Sequence, residues 1–479
     1  MKNYSIWSED LKNNYDSLNK DLDIDVLIIG GGMTGINTAY QLINSNMNVC
    51  LVEKNLIGSG VTSRTTAKLT YLQENYSKLK TYHNEKISKC YLKSQKDAIK
   101  IIENIINKEN IDCNFEKVKS YIINNNDKKF NKEKELLKKF GVDIKEIKEL
   151  PNKEKIDGYY VDDTYVFNPI KYLNALSKII TSNGIEIYEN TKIIEIKKEK
   201  NYYICKTNKN IIKTKYIVFA LHYPYFLLPF LTPLKTNIEK SYIGAYKVNN
   251  NELYSSITIS KPVISTRFYK NNENIYIILL TNSHNLSIKN NCKNEFDILL
   301  NNKPDYIWSN KDIVTNDYLP FIGSLNYENT MLIGTSYNTW GMTNSVLAGK
   351  ILSDIILNKE NEYVDLFNPK RCINIGKLIN TPIILGGNIY SFTKSKIYKK
   401  KSWYSDKVRF EKRNGSNVGI YIDENNKEHI VYNLCPHLKC GLIFNEIERT
   451  WDCPCHGSRF DIDGKCIEGP SNYNITYKE

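Results

Sequence analysis

Two short clusters of cysteine and histidine near the C-terminal end of the chain have the residue types of a metal centre. Cys435 and His437 are spaced C-x-H, and Cys453 and His456 are spaced C-x-x-H. Thiolates and neutral imidazoles are ligands that both iron and zinc accept. A Cys₂His₂ zinc site uses the same ligand types, but C-x-H is tighter than the usual C-x₂₋₄-C spacing of zinc fingers. The pattern therefore favours an iron centre and leaves zinc as the alternative.

The two clusters resemble the ligand loops of the Rieske [2Fe-2S] family. The resemblance implies that Cys435 and Cys453 bind one iron as thiolates. It also implies that His437 and His456 bind the other iron through imidazole nitrogens. Such a cluster can accept electrons from a flavin.

Two further cysteines match a feature of the cytochrome bc-type members of that family. Cys440 and Cys455 correspond to the disulfide that clamps the two cluster loops there, so the resemblance implies a bridge in this chain. It also implies that Ser458 donates a hydrogen bond toward a cluster sulfur. Phe460 stands where the family often has tyrosine. With one hydroxyl donor fewer, we expect a lower potential than in respiratory Rieske proteins.

A second candidate site lies near the N-terminal end, where a G-x-G-x-x-G turn joins an apolar strand pattern at residues 25–29 to a helix pattern. Gly30 would form the tight turn, Gly32 would let the backbone approach a pyrophosphate, and Gly35 would let helix and strand pack closely. The next strand pattern ends at Glu53, where a carboxylate can bind ribose hydroxyls. Together these features predict a dinucleotide site rather than a structural glycine turn.

The loop after this acidic residue helps to separate FAD from NAD. It is small and rich in hydroxyls, and it resembles the second flavin signature of the D-amino-acid-oxidase-like, or glycine-oxidase-like, family. A flexible glycine loop is the alternative. The resemblance implies cofactor contacts from Gly58, Ser59, Ser63, Thr65, Thr66 and Ala67.

Later segments resemble the same family in the same order, so that the likeness spans about residues 24 to 360. Ile193, in a predicted strand over residues 185–196, corresponds to the residue whose backbone meets the adenine. A second stretch, at residues 317–343, resembles the closing flavin motif. The resemblance implies cofactor contacts there from Gly323, Trp340, Gly341, Met342 and Thr343.

The region between these motifs predicts the substrate side of the flavin. Residues 241–280 alternate like several strands of an antiparallel sheet. Arg267 could bind a substrate carboxylate through its planar fork, and a surface ion pair is the alternative. His222 and Tyr223 follow a predicted strand and could face the flavin, although a lone histidine is more often structural.

The motifs predict an α/β (α+β) Rossmann-like FAD-binding domain with an antiparallel β substrate domain, followed by a small all-β module. A chain of 479 residues with 41% hydrophobic residues can bury two unequal cores. The predicted boundaries are 1–379 for the oxidoreductase domain, with FAD-binding parts at about 24–75, 165–225 and 310–360, then 380–401 for a linker and 402–479 for the Rieske domain.

Composition limits the partners. The formal net charge of +13 comes mainly from scattered lysines, which predict a solvated basic surface and no nucleic-acid binding. Residues 1–22 lack the apolar stretch of a secretory signal, and no segment is apolar enough for a membrane-spanning helix. We therefore expect a cytoplasmic protein, with peripheral membrane association left open.

The order of parts resembles bacterial fusion proteins in which a glycine-oxidase-like FAD domain precedes a Rieske domain. It implies an FAD-dependent oxidoreductase in which a small amine or amino acid delivers a hydride to the flavin and electrons pass to the cluster. A redox partner protein or a quinone-type acceptor could then receive them. Two alternatives stay open, namely a reductase in which the cluster feeds the FAD, and a non-enzymatic redox sensor or electron-transfer protein.

Overall fold

The computed structural model describes residues 1–125, 128–223, 235–249, 252–259, 263–271, 273–281, 283–285, 299–371, 407–437, 439–445, 448–455, 457–471 and 473–478. The chain divides into two compact units. The first comprises residues 1–222, 241–283 and 291–372, and the second comprises residues 223–240, 284–290 and 373–479. The predicted linker at residues 380–401 lies outside the described part of the chain.

The first unit contains a largely parallel sheet. Its strands are β1 (Leu22–Ile29), β2 (Val49–Val52), β7 (Glu186–Tyr188), β8 (Glu195–Lys198), β9 (Tyr203–Lys206), β10 (Ile211–Phe219), β17 (Phe321–Ser324) and β18 (Met331–Thr335). Strands β18, β10, β1, β2 and β7 lie side by side and run parallel. The second half of β1 is buried on both faces, as its continuous apolar pattern predicts. The carboxyl ends of β1, β2 and β10 therefore meet at one edge of the sheet.

The strand predicted over residues 185–196 is interrupted. The structure has two short strands there, β7 and β8, because the intervening chain turns away. Asn190 adopts φ +50°, in the left-handed region, and the Thr191 amide donates to the Glu53 carbonyl at 2.8 Å. The turn thus fastens the end of β7 to the residue that follows β2.

Helices cover this sheet and support the second one. They are α1 (Met33–Gln41), α2 (Tyr76–Tyr82), α3 (Glu85–Lys108), α4 (Lys128–Lys139), α5 (Pro169–Ser182), α6 (Gly341–Ile356) and α7 (Val364–Phe367), with short 3₁₀ helices at Ile6–Asp10 and Val61–Arg64. α1 packs against α5 and α6. Asn168 caps α5 by accepting hydrogen bonds from the amides of Ile170 and Lys171, with Pro169 at the first helical position.

A second, mostly antiparallel sheet completes the first unit, to which β11 contributes its residues from 241 onward. Its strands are β3 (Lys68–Leu69), β4 (Glu116–Asn124), β5 (Lys145–Glu149), β6 (Lys155–Val166), β11 (Thr236–Val248), β12 (Tyr254–Ile259), β13 (Ser265–Asn271), β14 (Asn274–Leu280) and β16 (Tyr306–Thr315). The order is β11, β14, β13, β12, β4, β6 and β3, with β12 and β4 as the parallel neighbours. The predicted combination of an α/β layer with an antiparallel sheet is confirmed.

The second unit is rich in short strands. β15 (His284–Asn285) pairs with Glu239 and Lys240. The C-terminal part has a three-stranded sheet, β19 (Val408–Arg413), β20 (Ser416–Ile422) and β21 (Glu428–Tyr432), and a four-stranded sheet, β22 (Ile443–Asn445), β23 (Thr450–Asp452), β24 (Arg459–Phe460) and β25 (Cys466–Glu468). Both are antiparallel, which confirms the small all-β module.

Trp451 is the centre of the core of this module. It is fully buried and packs edge-on against Phe444, with ring centroids 4.7 Å apart. A Cβ atom on Gly419 would lie 2.5 Å from the indole, so only glycine fits beneath the ring. The core is thus built around one large side chain and one position without a side chain.

A buried ion network also belongs to the second unit. The ammonium of Lys240 lies 2.5 Å from a carboxylate oxygen of Glu448 and 3.2 Å from one of Asp452. Arg459 pairs with the same two acids at 2.7 and 3.3 Å. Although burial disfavours a charged carboxylate, Lys240 and Arg459 hold the pKa of Glu448 down to about 2.

Candidate functional sites

The glycine turn after β1 forms a cradle at the edge where the strands end. Gly30 adopts φ +114°, and a Cβ atom there would lie 2.4 Å from the Ala220 carbonyl oxygen. A Cβ atom on Gly35 would lie 1.9 Å from the carbonyl oxygen of Gly30. Helix α1 follows Gly32 without a side-chain cap. A tight turn and a helix N-terminus without a side-chain cap suit a pyrophosphate.

Glu53 lies beside this turn, directly after β2. One of its carboxylate oxygens accepts a hydrogen bond from the Gly31 amide at 2.8 Å, and the other accepts one from the Asn55 amide at 2.9 Å. Burial raises the pKa of this carboxyl group. Each oxygen still has a lone pair that could accept a ribose hydroxyl.

The loop after Glu53 is fastened to the glycine turn. Gly58, at φ +77°, donates its amide to the Gly31 carbonyl at 3.0 Å. The Thr62 hydroxyl accepts from the Met33 amide at 3.3 Å. The structure therefore brings together Gly30, Gly32, Gly35, Glu53 and Gly58.

The hydroxyl groups of this loop are engaged locally. Ser59 donates to the Leu56 carbonyl at 2.7 Å, and Ser63 donates to the Gly60 carbonyl at 3.0 Å. Thr65 accepts from the Ala67 amide at 3.0 Å. These bonds shape the loop, and the contacts of the hydroxyls with a cofactor stay a prediction.

Four successive carbonyl groups, those of residues 64–67, each accept a hydrogen bond from a distant buried side chain. Trp308 donates its indole N–H to the first at 3.0 Å, and Trp7 donates to the second at 2.7 Å. Nη1 of Arg267 donates to the third and fourth at 3.0 and 2.7 Å. We call this set the carbonyl brace. Sequence reasoning missed both tryptophans because no local motif marks a contact over such separations in the chain.

Arg267 is buried throughout, so the surface ion-pair interpretation is wrong. Its Nη1 also donates to the Phe167 carbonyl at 2.9 Å, and its guanidinium lies 5.1 Å from the ring centroid of Trp7. Among the described residues, Nη2 has no hydrogen-bond partner. The predicted substrate contact could therefore use only Nη2, and it stays a prediction.

Lys68 follows this loop and was missed as a site residue, although it ends the hydroxyl-rich signature. Its side chain is buried, and Nζ donates to the Ser265 hydroxyl and to the Ser256 carbonyl, the latter at 3.2 Å. Nζ also lies 5.9 Å from the ring centroid of Trp340. Burial, together with the charge of Arg267, lowers the pKa of Lys68 to about 7.

The predicted closing motif lies at the start of α6. Trp340 is the residue before the helix, and a Cβ atom on Gly341 would meet nothing closer than 3.8 Å. Thr339, just before it, adopts φ +69°, and Ala67 on the other loop adopts φ +55°. Positive φ is costly for a β-branched residue and tends to mark functional sites. Each predicted flavin loop thus carries a non-glycine residue with positive φ, and in one of them it is the β-branched Thr339.

A closed ring of buried polar side chains holds the first turn of α6. The Thr343 hydroxyl donates to Gln95 at 2.6 Å, and Gln73 donates to both of them at 2.9 and 3.1 Å. Asn344 and Tyr91 complete the ring. The Thr343 hydroxyl is therefore occupied within the protein, which leaves its backbone amide for the predicted flavin contact. Met342, beside it, is buried.

The segment before β17 is fixed by a bidentate ion pair. Arg371 donates to both carboxylate oxygens of Asp317, at 2.6 and 2.8 Å, and this pairing keeps the pKa of Asp317 low despite burial. Gly323, at φ +138°, faces Pro369, whose Cδ would be 3.2 Å from a Cβ atom. Packing against Pro369 already explains why residue 323 is a glycine. Its predicted contact with the cofactor stays a prediction.

The remaining candidates, Ile193, His222 and Tyr223, do not all belong to the same unit. Ile193 is buried between β7 and β8. The carbonyl of His222 accepts from the Thr335 hydroxyl at 2.6 Å within the first unit. Tyr223 belongs to the second unit, where burial and the neighbouring Cys453 raise its pKa. The structure thus assigns these two neighbours in the chain to different units.

The two cysteine loops of the second unit are closed in the same way. The Cys435 amide donates to the Cys440 carbonyl at 2.8 Å, and the Lys439 amide donates back to Cys435 at 2.9 Å. The Cys453 amide likewise donates to Ser458 at 2.7 Å, and the Gly457 amide donates back to Cys453 at 2.9 Å. In each loop the fifth residue, Lys439 or Gly457, has positive φ.

Three of the four cysteine sulfur atoms of these loops lie close together. Cys435 and Cys453 are buried and are not in disulfides, and the Sγ atoms of Cys440, Cys453 and Cys455 lie within 4.8 Å of one another. The structure pairs Cys440 with Cys455 as a disulfide, with Cα atoms 6.7 Å apart. His437 is half-buried, and burial lowers its pKa, which favours the neutral imidazole that a metal needs. The fourth predicted ligand, His456, lies outside the described residues.

Ser458 ends the second cysteine loop, and Phe460 follows it on β24. Ser458 is fully buried, and its hydroxyl oxygen accepts from the Ser471 amide at 2.9 Å, so the hydroxyl proton is left to donate. Phe460 is fully buried and has no hydroxyl. Soft thiolates, a neutral imidazole and an inward hydroxyl fit an iron–sulfur cluster.

Within the described parts of the chain, no helix is long and apolar enough to cross a membrane.

Comparisons with known proteins match both regions of the chain. Residues 25–355 match the family model described as FAD dependent oxidoreductase, and residues 394–477 match the Rieske [2Fe-2S] domain. The chain is 31% identical over 481 residues to YhfW of Bacillus subtilis (strain 168), whose name gives it as a Rieske 2Fe-2S iron-sulfur protein; the match covers 95% of this chain and 94% of YhfW.

Solved structures show the same fold. Glycine oxidase from Geobacillus kaustophilus superposes with a TM-score of 0.61 at 15% identity, covering 74% of this chain and 100% of that enzyme. L-proline dehydrogenase from P. horikoshii superposes with a TM-score of 0.59 at 18% identity, covering 73% and 98%. The fold, the cradle at the strand ends and the paired cysteine loops all lead to one assignment. The chain belongs to the FAD-dependent oxidoreductase family and carries a C-terminal Rieske domain, with FAD and a [2Fe-2S] cluster as its cofactors.

Proposed function

We propose that the enzyme oxidises a small amine or amino acid at the flavin and passes the electrons to its Rieske cluster. FAD supplies a two-electron acceptor that can release electrons singly, and the cluster supplies a one-electron acceptor. The observation that carries this proposal is the presence, in one chain, of a dinucleotide cradle and of two matched cysteine loops.

A buried cation near the predicted flavin loops, Arg267, supports an amino acid as substrate. Its side chain is fully buried, and among the described residues it pairs with no carboxylate. Buried positive charge without an anionic partner is costly, so a ligand carboxylate would be stabilised there. The structural neighbours named for glycine and proline are consistent with this chemical class.

We further propose that Cys435 and Cys453 hold one iron, and that His437 and His456 hold the other. The equal closure of the two loops, which presents one buried cysteine outside the disulfide from each, supports this ligand set. Cys440 and Cys455 would clamp the loops from outside the cluster, and Ser458 would donate toward a sulfur. The domain boundaries 1–379 and 402–479 stay a proposal: the two family matches cover residues 25–355 and 394–477, and the second begins inside the proposed linker.

The chain's own residues would prepare the substrate and the flavin. The carbonyl brace holds the backbone of residues 64–67 in one conformation. This backbone would present a fixed surface to the flavin ring. Helix α6 directs its N-terminus, beginning at Gly341, toward the same region, where its dipole favours negative charge. Arg267 would orient a carboxylate of the substrate.

An anaerobic titration tests the direction of electron flow. Small amines and amino acids are added to the oxidised protein, and flavin bleaching and cluster reduction are followed by visible absorption and EPR. We expect the flavin to bleach first and the cluster signal to rise afterwards. A flavin that is fully reduced beside a cluster that stays oxidised would contradict the proposal. Cluster reduction by an external donor, with electrons then appearing on FAD, would support the reverse direction.

A further inference from the structure

Lys68 lies between the two segments predicted to contact the flavin. It begins β3 immediately after the loop braced by Trp7, Trp308 and Arg267, and its ammonium lies 5.9 Å from the ring centroid of Trp340, the residue before α6. β12 and β13 of the antiparallel sheet supply its hydrogen-bond partners. The Nζ atom is therefore placed where the predicted flavin loops meet the predicted substrate sheet.

The hydrogen bonds of Lys68 match a neutral amine. A neutral amine has two N–H donors and one lone pair, whereas an ammonium has three donors. The Ser265 hydroxyl and the Ser256 carbonyl are two acceptors, and among the described residues no third acceptor binds Nζ. The lone pair of the neutral form is thus left for another partner.

The charges around Lys68 also favour its neutral form. Arg267, on β13, is the charged group that opposes a proton on Nζ, while Glu74, after β3, favours one more weakly. Burial is the largest influence and acts with Arg267, so that the pKa of Lys68 falls to about 7. A base that titrates near neutrality is matched to proton transfer at cellular pH.

We propose that Lys68 is a catalytic residue that accepts the ammonium proton of the bound substrate before hydride transfer. This inference rests on the proposed function, because it requires an amine or amino acid at the flavin. One N–H bond of the substrate ammonium breaks and one Nζ–H bond forms, so the substrate becomes a neutral amine and Lys68 becomes an ammonium. The nitrogen lone pair that is freed can then support loss of a hydride, with its electron pair, from the adjacent carbon to FAD.

The first test needs no substrate. The visible spectrum of the oxidised holoprotein is recorded from well below to well above neutral pH, for the native protein and for Lys68→Met and Lys68→Arg. The matched control is Lys96→Met, because Lys96 also lies over an aromatic ring of the first unit, 4.5 Å from the Tyr71 centroid. FAD content and the midpoint of thermal unfolding show whether each variant is folded.

We expect a one-proton spectral transition near pH 7 in the native protein and in Lys96→Met, and no such transition in either Lys68 variant. A native protein without a transition near neutrality would overturn the proposal. So would a transition that persists in folded, FAD-loaded Lys68→Met.

The second test uses the amine or amino acid that bleaches the flavin. The rate of anaerobic bleaching should fall about 10²- to 10⁴-fold in Lys68→Ala, the range of a lost general base. Added methylamine should restore part of that rate, because it can take the place of the missing amine. A Lys68→Ala rate and pH profile equal to those of the native protein would overturn the inference while leaving the proposed function intact. Conversely, a cluster that stays oxidised would reject the proposed coupling but not the role of Lys68.

Discussion

The loop of residues 58–67 and the two cysteine loops are held in place in different ways. The flavin-side loop depends on the carbonyl brace, whose donors come from residues 7, 267 and 308. The cysteine loops are closed by their own backbone, across five residues or fewer. A site held by local bonds can be recognised from a short motif, whereas a site held by distant side chains needs the whole fold. The contrast predicts that single substitutions will have different consequences at the two sites.

The largest effect is expected from Cys453→Ser in the second unit. Loss of one thiolate should abolish the cluster, with no inorganic sulfide and no rhombic EPR signal, while FAD absorption stays unchanged. The matched control is Cys466→Ser, because Cys466 is half-buried in the same module and donates to the carbonyls of Ser471, at 3.1 Å, and Glu468, at 3.7 Å. A persistent cluster signal in Cys453→Ser would contradict the proposed ligand set.

A smaller but still large effect is expected from Lys240→Met. The substitution leaves the buried Asp452 and the partly buried Glu448 with one cation fewer, which typically costs about 3–5 kcal/mol. Denaturant unfolding of the second unit, followed through the cluster absorption, measures this loss. Arg449→Met removes an exposed pair with Glu424 and should cost no more than about 1 kcal/mol. Equal stability of the two variants would mean that the buried network contributes little.

The same network predicts how the second unit responds to acid. The folded-state pKa of Glu448, about 2, lies below its unfolded value of about 4.3. Its contribution to stability is therefore complete above the unfolded value and is lost as the pH falls through about 2. Unfolding midpoints measured across this acidic range should decline in the native protein. The decline should be shallower in Glu448→Gln, and an unchanged slope would exclude this group as the cause.

The smallest effect is expected from Trp308→Phe, which removes a single donor of the carbonyl brace. The Arg64 carbonyl loses its partner, at a cost of about 1 kcal/mol or more, which is roughly fivefold in the FAD dissociation constant. Flavin fluorescence on titration measures the change. Tyr203→Phe removes the hydrogen bonds of the Tyr203 hydroxyl with Thr330 and Asn326, away from this loop, and should leave FAD affinity unchanged. Equal affinities in all three proteins would show that the brace is not needed for FAD binding.

Much of the molecule could be predicted from the sequence. The glycine turn and Glu53 lie together at the strand ends, as the spacing implied, because a strand–turn–helix motif is a local structure. The paired cysteine loops likewise lie within a small all-β module. The prediction of one continuous strand over residues 185–196 was wrong. Asn190 adopts a left-handed backbone conformation, and the Thr191 amide donates a hydrogen bond to the Glu53 carbonyl, which interrupts the strand.

Other features had no local signal. The surface ion pair considered for Arg267 was wrong because the tertiary structure buries this side chain against Trp7 and the loop carbonyls. The polar ring that includes Gln73, Gln95 and Thr343 joins three separate segments, and no periodicity in the sequence indicates it. Such contacts depend on which elements pack together.

The sequence by itself determined the types of the ligands, the glycine turn and the order of the two cofactor regions, because each depends on residues only a few positions apart. Only the tertiary structure decided that Lys68 is buried beside Arg267 and Trp340, and hence that its amine can be neutral near pH 7. The physical reason is that a pKa is set by desolvation and by nearby charges, and these come from parts of the chain that folding alone brings together.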